Sequence, residues 1–584
     1  MTASTKEPAL LRFDRELFDG SGPATRIGDG PVGGKASGLI RIRDTLAAAF
    51  PPSPAVEVSI PTMSVITTEH FDGFLEENRL DPEALSGESD DAIARAFLAG
   101  HLPVEIVGDL RAMANRIHAP LAVRSSSVLE DALERPFAGV YATKMIPNNE
   151  LEPDARFRKL DAAVKLVWAS TYFRGARAYR ETVDAAHRQE KMAVLLQEVV
   201  GRRHRDRYYP DISGVARSYG FYRFGSALPE EGVVLLALGL GKTIVDGGIS
   251  WTYSPAHPAA SAPFASTADL MEATQTEFWA VNMGKPPAYD PVRETEYLVR
   301  GSLREAEEDG TLPMTASTWS AASDRLVPGT GVKGPRVVNF APLLVHEQFP
   351  VNDMFRSLLS VCEKAAGGPV EIEFAATLEP RRQPPVRLGL LQVRPMVVST
   401  ELVDLTHESR SGRRVFLSSD HVMGNGVVED IRDVVYLPPG HFDAARSRVI
   451  ASEVAARNRA LLDEGRPYVL IGFGRWGSAD PWLGVPVAWG DVAGAKVLVE
   501  APRPERGVEM SQGSHFFHNI SSFGVSYFSF PPGGSGTLDW EWLESRPAAA
   551  EGPFVRHVRL AAPLRVEVDG RVGRGIIWRR DEET

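Results

Sequence analysis

Val370-Glu371-Ile372-Glu373-Phe374-Ala375 and, further on, Leu388-Gly389-Leu390-Leu391-Gln392-Val393-Arg394-Pro395 read as a pair of strands. The polar, Pro-rich segment Glu379 to Pro385 between them predicts a hairpin. Residues two apart on a strand share a face, so Glu371 and Glu373 point one way, as do Gln392 and Arg394. Two carboxylates beside a guanidinium on the neighbouring strand suit a Mg2+–phosphate arrangement. The same pattern also describes a cross-strand salt bridge on a solvated face.

Upstream, Ala122-Val123-Arg124-Ser125-Ser126-Ser127 predicts a short strand over Leu121 to Arg124 that feeds a Ser-rich turn. A guanidinium fork followed by three hydroxyls suits phosphate oxygens. An ion pair of Arg124 with Glu130 or Asp131 is the plainer reading. Val32-Gly33-Gly34-Lys35-Ala36-Ser37-Gly38-Leu39 places glycines ahead of a helix, where backbone N–H groups can approach an anion. A Gly-Gly turn before a helix is also common for purely local reasons. Lysine is scarce here, eleven against fifty-three arginines, which makes Lys35 worth weighing. Leu238-Gly239-Leu240-Gly241-Lys242-Thr243 is not a P-loop: that motif needs glycine where Leu236 stands. As a Gly-rich turn after a buried strand, it remains suited to lining a nucleotide site.

The 584 residues suit several domains, with 43% hydrophobic and 24% charged residues, as in an ordinary globular chain. A formal net charge of -12 disfavours general nucleic-acid binding. Cys362 is the only cysteine, so no intrachain disulfide and no cysteine-built metal cluster is expected. No apolar run reaches membrane-spanning length and the N-terminus has no signal-like pattern, so the expectation is a cytoplasmic protein without membrane association. Helical and strand patterns alternate throughout, an α/β chain with mixed sheets. A boundary falls near residue 400, giving domains over 1–400 and 401–584. The clearest helix is Asp443 to Glu464, with Asp443 as its cap and Gly465 as its left-handed stop.

In this order, GGKASGL, AVRSSSVLED with FAGVY, AVLLQEVV with DISGVA, LGLGKTIVDGG, and VEIEFA with LLQVRP resemble the nucleotide-binding domain of phosphoenolpyruvate synthase and pyruvate phosphate dikinase. The resemblance covers roughly residues 30–398. It implies an ATP-grasp-like, two-lobed module split near 190–200, followed by a smaller α/β domain. It implies ATP and Mg2+ as cofactors. Lys35, Arg124, Ser125 and Gly139 would lie on the phosphate side. Gln197, Glu198 and Val199 would lie along the adenine. Glu373, with Glu371, would hold Mg2+. Gln392 and Arg394 would complete the phosphate and metal shell, and Arg124, Lys35 and Arg394 would act in catalysis. Lys242 stands where the family usually has an acidic residue. None of the thirteen histidines sits in the family's Thr-Ser-His or Thr-Cys-His phosphocarrier motif, and a pyruvate barrel is not expected in the residues that remain.

The expected function is therefore ATP-dependent phosphotransfer to a small-molecule acceptor, with a separate phosphocarrier or acceptor protein as a further partner. An ATP-dependent ligase that forms an acyl phosphate and a non-catalytic ATP sensor are the rival readings. In the C-terminal region, Arg475, Asp480, His515 and His518 form the densest polar–aromatic grouping. The two histidines suit a general base or a phosphate acceptor, or packing among Phe516, Phe517 and Phe523.

Overall fold

The computed structural model describes residues 10–22, 24–85, 87–128, 130, 139–182, 190–221, 227–259, 270–271, 274–398, 403, 405, 413–478, 480, 482–501, 515–530 and 535–580. The chain divides into two compact units. The first comprises 1–218, 234–243 and 274–395. The second comprises 219–233, 244–273 and 396–584, so two earlier segments join the C-terminal residues.

The described strands of the first unit take part in four sheets, two of them six-stranded. One runs Leu11–Arg12, Thr25–Ile27, Met63–Ile66, Met192–Glu198, Leu121–Ser127, Thr143–Ile146. Its fully buried Val65, Val123, Val194 and Leu196 suit a sheet covered on both faces. Helix Pro153–Ser170 packs here, its Trp168 ring 5.0 Å from Phe74. In the second sheet Val233–Ala237, Ile212–Arg217, Val370–Leu378, Val386–Pro395 and Val56–Ser59 lie side by side in that order. Val370–Leu378 and Val386–Pro395 are antiparallel, as the hairpin pattern predicts.

Helix Gly33–Ala49 lies close to both sheets, and its glycines explain how. A Cβ on Gly33 would sit 1.7 Å from the Ser126 carbonyl oxygen, and one on Gly34 1.6 Å from that of Glu130. A Cβ on Gly38 would meet the Val393 carbonyl oxygen at 2.6 Å. Only glycine permits backbone to approach this closely on both sides. The serines that the sequence assigns to a turn instead extend the strand through Ser127, in register with Met192 to Val194.

The second unit carries a ten-stranded sheet among its described residues. Asn425–Tyr436, Tyr468–Phe473, Ala495–Ala501 and Ser526–Ser529 are parallel neighbours. Beyond Asn425–Tyr436 the sheet turns antiparallel through Arg556–Asp569 and Arg574–Arg580. Asp443 caps a short 3-10 turn, Ala444–Arg446, which leads into helix Ser447–Asp463, and Gly465 follows at φ +65°. No helix among the described residues is long and apolar enough to cross a membrane.

Asp433 ties this sheet together from a buried position. It accepts from Arg466 Nε at 2.8 Å and Arg559 Nε at 2.8 Å, and pairs with His557 Nε2 at 2.8 Å. Burial alone would raise its pKa, but the hydrogen bonds from His557, Arg559 and Arg466 outweigh that and hold it at about 2. The folded value lies below the unfolded one, so this stabilisation is present above about pH 4 and is lost as pH falls through about 2. Asp433→Asn is expected to destabilise the second unit by ~2 kcal/mol at neutral pH. Unfolding midpoints of the two proteins should converge between about pH 4 and pH 2; a gap that persists undiminished at pH 2 would refute this.

Candidate functional site

Arg124 links the two six-stranded sheets of the first unit. It stands on Leu121–Ser127 and reaches the hairpin of the other sheet. Its Nη2 donates to Glu373 Oε2 and to Gln392 Oε1, both at 2.9 Å. Its Nη1 donates to the Leu391 carbonyl at 2.8 Å and to Gln197 Oε1 at 3.3 Å. The expected pairing of Arg124 with Glu130 does not form, and Asp131 lies outside the described residues.

Behind Arg124 the charges alternate. Glu373 Oε1 accepts from Arg394 Nη2 at 2.5 Å. Arg394 Nε lies 2.9 Å from Glu371 Oε1, and Arg217 Nε donates to Glu371 Oε2 at 2.7 Å. The register makes this chain possible, because Arg217 stands opposite Glu371 on one side and Arg394 opposite it on the other. Glu371 and Glu373 do share a face, as strand periodicity requires. Their cross-strand pairing is buried, however, not on a solvated surface. Among the described residues, three guanidiniums and two carboxylates make up this array. The inner end, Arg217 and Glu371, is closed at 2% side-chain exposure each. The outer end, Arg124 and Glu373, is 11% exposed at each side chain. The array is therefore less buried at its Arg124–Glu373 end.

Lys35 is placed differently. Its ammonium pairs with Glu130 Oε1 at 2.7 Å and donates to Ser125 Oγ at 3.0 Å. Glu130 is fixed in turn by the Ser127 N–H at 2.9 Å. Side chains alternate along a strand, so Ser125, and Lys35 with it, lies on the face opposite Arg124. The structure thus groups Lys35 with Ser125 and Glu130, and Arg124 with Gln197, Gln392 and Glu373. Gly139 is exposed at φ +69°.

On the Arg124 face, the strand carries the polar Ser126 on one side and the apolar Ala122 on the other. Ala122 is two residues back on the strand and pairs with Gln197 and Met145. Ala122, Val199, Leu240, Val281 and Met283 form a buried cluster, flanked by Tyr208 and Trp279. The Gly-rich turn is held against it: Gln275 binds the Leu238 backbone on both sides, and the Leu240 N–H donates to the Trp279 carbonyl at 2.9 Å. Between cluster and array, Gln197 is 1% exposed and its Nε2 finds no partner among the described residues. Glu198 has its pKa raised by burial. The Val199 N–H is committed to the Pro120 carbonyl at 2.9 Å. The apolar cluster and the Arg124 guanidinium thus lie close to one another on this side of the strand.

The donor set decides how Mg2+ fits. No group of three or more His, Cys, Asp or Glu among the described residues is arranged as a metal cage. Mg2+ is commonly held by one or two carboxylates plus substrate phosphates, so such a cage is not needed. Glu373 at the open end and the amide oxygen of Gln392 fit that pattern. Glu371 does not, because each of its oxygens already faces a guanidinium.

In the second unit, Arg475 is 4% exposed and its Nη1 donates to the Gly247 carbonyl at 2.7 Å. Asp480 accepts from the Trp482 N–H at 2.9 Å, an interaction within its own loop. His515 and His518 fall on helix His515–Ser522, and their side chains lie outside the described residues. Three site groups escape the sequence reading: Arg217, Glu130 as the partner of Lys35, and Ser213. Ser213 is 1% exposed, on the same strand face as Arg217, with no partner for its hydroxyl among the described residues. The alternation in Ile212-Ser213-Gly214-Val215-Ala216-Arg217 was the available signal.

Fold and site together define a nucleotide-binding module of ATP-grasp-like architecture. A family model described as pyruvate phosphate dikinase, AMP/ATP-binding domain, matches residues 30–411, and the chain belongs to this family of ATP-dependent phosphotransfer enzymes. Among curated proteins it is similar to a phosphoenolpyruvate synthase of Aeropyrum pernix, 27% identical over 241 residues. That match takes in 38% of this chain and 26% of the relative, so the chain spans about a quarter of that protein's length.

The Lys35–Glu130 pair makes a direct claim on stability. Lys35→Met leaves a buried carboxylate unpaired and is expected to cost ~3–5 kcal/mol. Lys35→Met with Glu130→Gln should recover much of that loss in denaturant unfolding. Equal destabilisation by the single and the double variant would show that the pair is not what Lys35 supplies.

Proposed function

We propose that this chain is an ATP- and Mg2+-dependent phosphotransferase acting on a small-molecule acceptor. The observation that carries the reading is the Arg124 guanidinium at the less buried end of the array, adjoining an apolar cluster on the same strand face. In this reading the adenine lies against Ala122, Val199, Leu240 and Met283. The unpartnered amide N–H of Gln197 donates to the nucleotide. The phosphates lie at Arg124. Mg2+, held by Glu373 and Gln392 with phosphate oxygens, neutralises charge on the transferring group.

Arg124 now divides its fork between Glu373 and Gln392. A phosphate arriving there competes with Glu373 for the same guanidinium. The carboxylate oxygen that Arg124 covers therefore becomes available as the phosphate binds. Arg394 keeps the other oxygen in place, so Glu373 is oriented before any ligand arrives. Such preorganisation is the main protein contribution to phosphoryl transfer, where positioning and charge stabilisation supply most of the catalysis. Lys35 holds Glu130 and Ser125 on the far face and supports the Arg124 strand. The acceptor side is proposed to involve the Arg475–Asp480 loop and the helix bearing His515 and His518, and the setting to be the cytoplasm.

Two measurements test this. Glu373→Gln should weaken Mg2+·ATP binding by at least ~10-fold in calorimetry, because Mg2+ takes few protein ligands. Arg124→Lys should lower turnover more than affinity, since an ammonium cannot reproduce the fork. Turnover is read as ADP, or AMP plus phosphate, released from ATP with pooled metabolites. Unchanged binding in Glu373→Gln together with normal turnover in Arg124→Lys would remove the array from the nucleotide site. A condensed amide product would favour the ligase reading instead.

A further inference from the structure

Glu371 and Glu373 are chemically alike and share a strand face, yet their flanks differ. Glu373 stands between Val215 and Gln392, neither of them charged. Glu371 stands between Arg217 and Arg394, and each guanidinium takes a different carboxylate oxygen. Arg217 is itself 2% exposed, so this contact is not open to exchange with solvent. Removing one partner of such a buried pair leaves an uncompensated charge, which makes the pairing hard to break.

We infer that Arg217 is a positioning residue that withdraws Glu371 from the metal-binding set and leaves Glu373 as its only carboxylate among the described residues. The inference rests on the nucleotide reading above and adds a stoichiometry to it: one divalent cation per bound nucleotide at this hairpin. Arg217 also fixes which edge of Arg394 is spent. With Glu371 clamped from the opposite strand, Arg394 meets it through Nε, and its Nη2 goes to Glu373 at 2.5 Å. Arg217 thereby orients the metal carboxylate through two intermediates without touching the ligand.

The test uses the full chain, Mn2+ as a spectroscopic stand-in for Mg2+, and a non-hydrolysable imido analogue of ATP. Mn2+ binding is followed by electron paramagnetic resonance. The wild type should take up one Mn2+ per chain with the analogue. Arg217→Met releases one oxygen of Glu371 and should add a second Mn2+ or tighten the first by about 10-fold, since each carboxylate ligand matters to a hard cation. Arg217→Met with Glu371→Gln removes one charge of each sign, leaves the net charge unchanged, and should return to wild-type stoichiometry. Arg217→Lys keeps the charge and should also behave as wild type. If Arg217→Met does not fold, the double variant decides alone. Loss of Mn2+ in the double variant as severe as in Glu373→Gln would make Glu371 a metal ligand and overturn the inference. Folded Arg217→Met with wild-type Mn2+ binding would overturn it as well. A wild-type chain that takes up no Mn2+ with the analogue would instead sink the nucleotide reading, and the inference with it.

Discussion

The buried array Arg217–Glu371–Arg394–Glu373–Arg124 is the constraint on which the first unit's architecture turns. Taking charges out of water is expensive, and mutual attraction offsets the cost only when geometry and hydrogen bonding are good. Here the geometry comes from three adjacent strands in register, with Arg124 arriving from a second sheet. The array therefore does two things that an apolar contact would not. It fixes the approach of one sheet to the other at a single side chain. It also places the Arg124 guanidinium at the less buried end of the array. Replacing the whole array by hydrocarbon of similar volume would in general cost little stability. What it would remove is the directed charge.

The glycines of helix Gly33–Ala49 serve the same end by steric means. A Gly-Gly-Lys sequence ahead of a helix suggests an anion cradle, with lysine as the counter-charge. The structure shows backbone oxygens of Ser126, Glu130 and Val393 in the places that methyl groups would need. These glycines bring the helix against the Arg124 strand and against the hairpin. Lysine enters as the partner of a carboxylate that caps the serine run. The array and this helix are thus two clamps on the same pair of sheets, one electrostatic and one set by van der Waals contact.

Strand periodicity made much of the candidate site legible. Glu371 with Glu373, and Gln392 with Arg394, are positions two apart, and their shared faces follow from pleat geometry alone. Arg124 was visible as a lone cation within a strand pattern. The partners were not visible. Glu130 was noticed as a neighbour of Arg124 in sequence, but alternation gives it to Lys35. Arg217 pairs with Glu371 across more than a hundred residues, a distance over which no local pattern specifies register. The serine run reads as a turn by propensity, and pairing with Met192–Glu198 overrides that.

The C-terminal unit was legible as strands and helices but not as a surface that contacts a substrate. Its four parallel strands pair in register, which places their C-terminal ends side by side. In open α/β sheets ligands commonly bind at that edge. Arg475 and Trp476 follow one such end and Glu500 lies near another, where its Oε1 accepts from the Trp476 N–H at 2.9 Å. Arg475 spends its guanidinium on the carbonyls of Gly247 and Gly248, the segment that continues directly from Leu238-Gly-Leu-Gly-Lys-Thr. The polar grouping that first drew notice as an acceptor site is thus, at Arg475, a grip on backbone. The Nη1 edge of Arg475 is thereby committed to backbone, and its side chain is buried at 4% exposure, so the loop it begins is anchored by that contact.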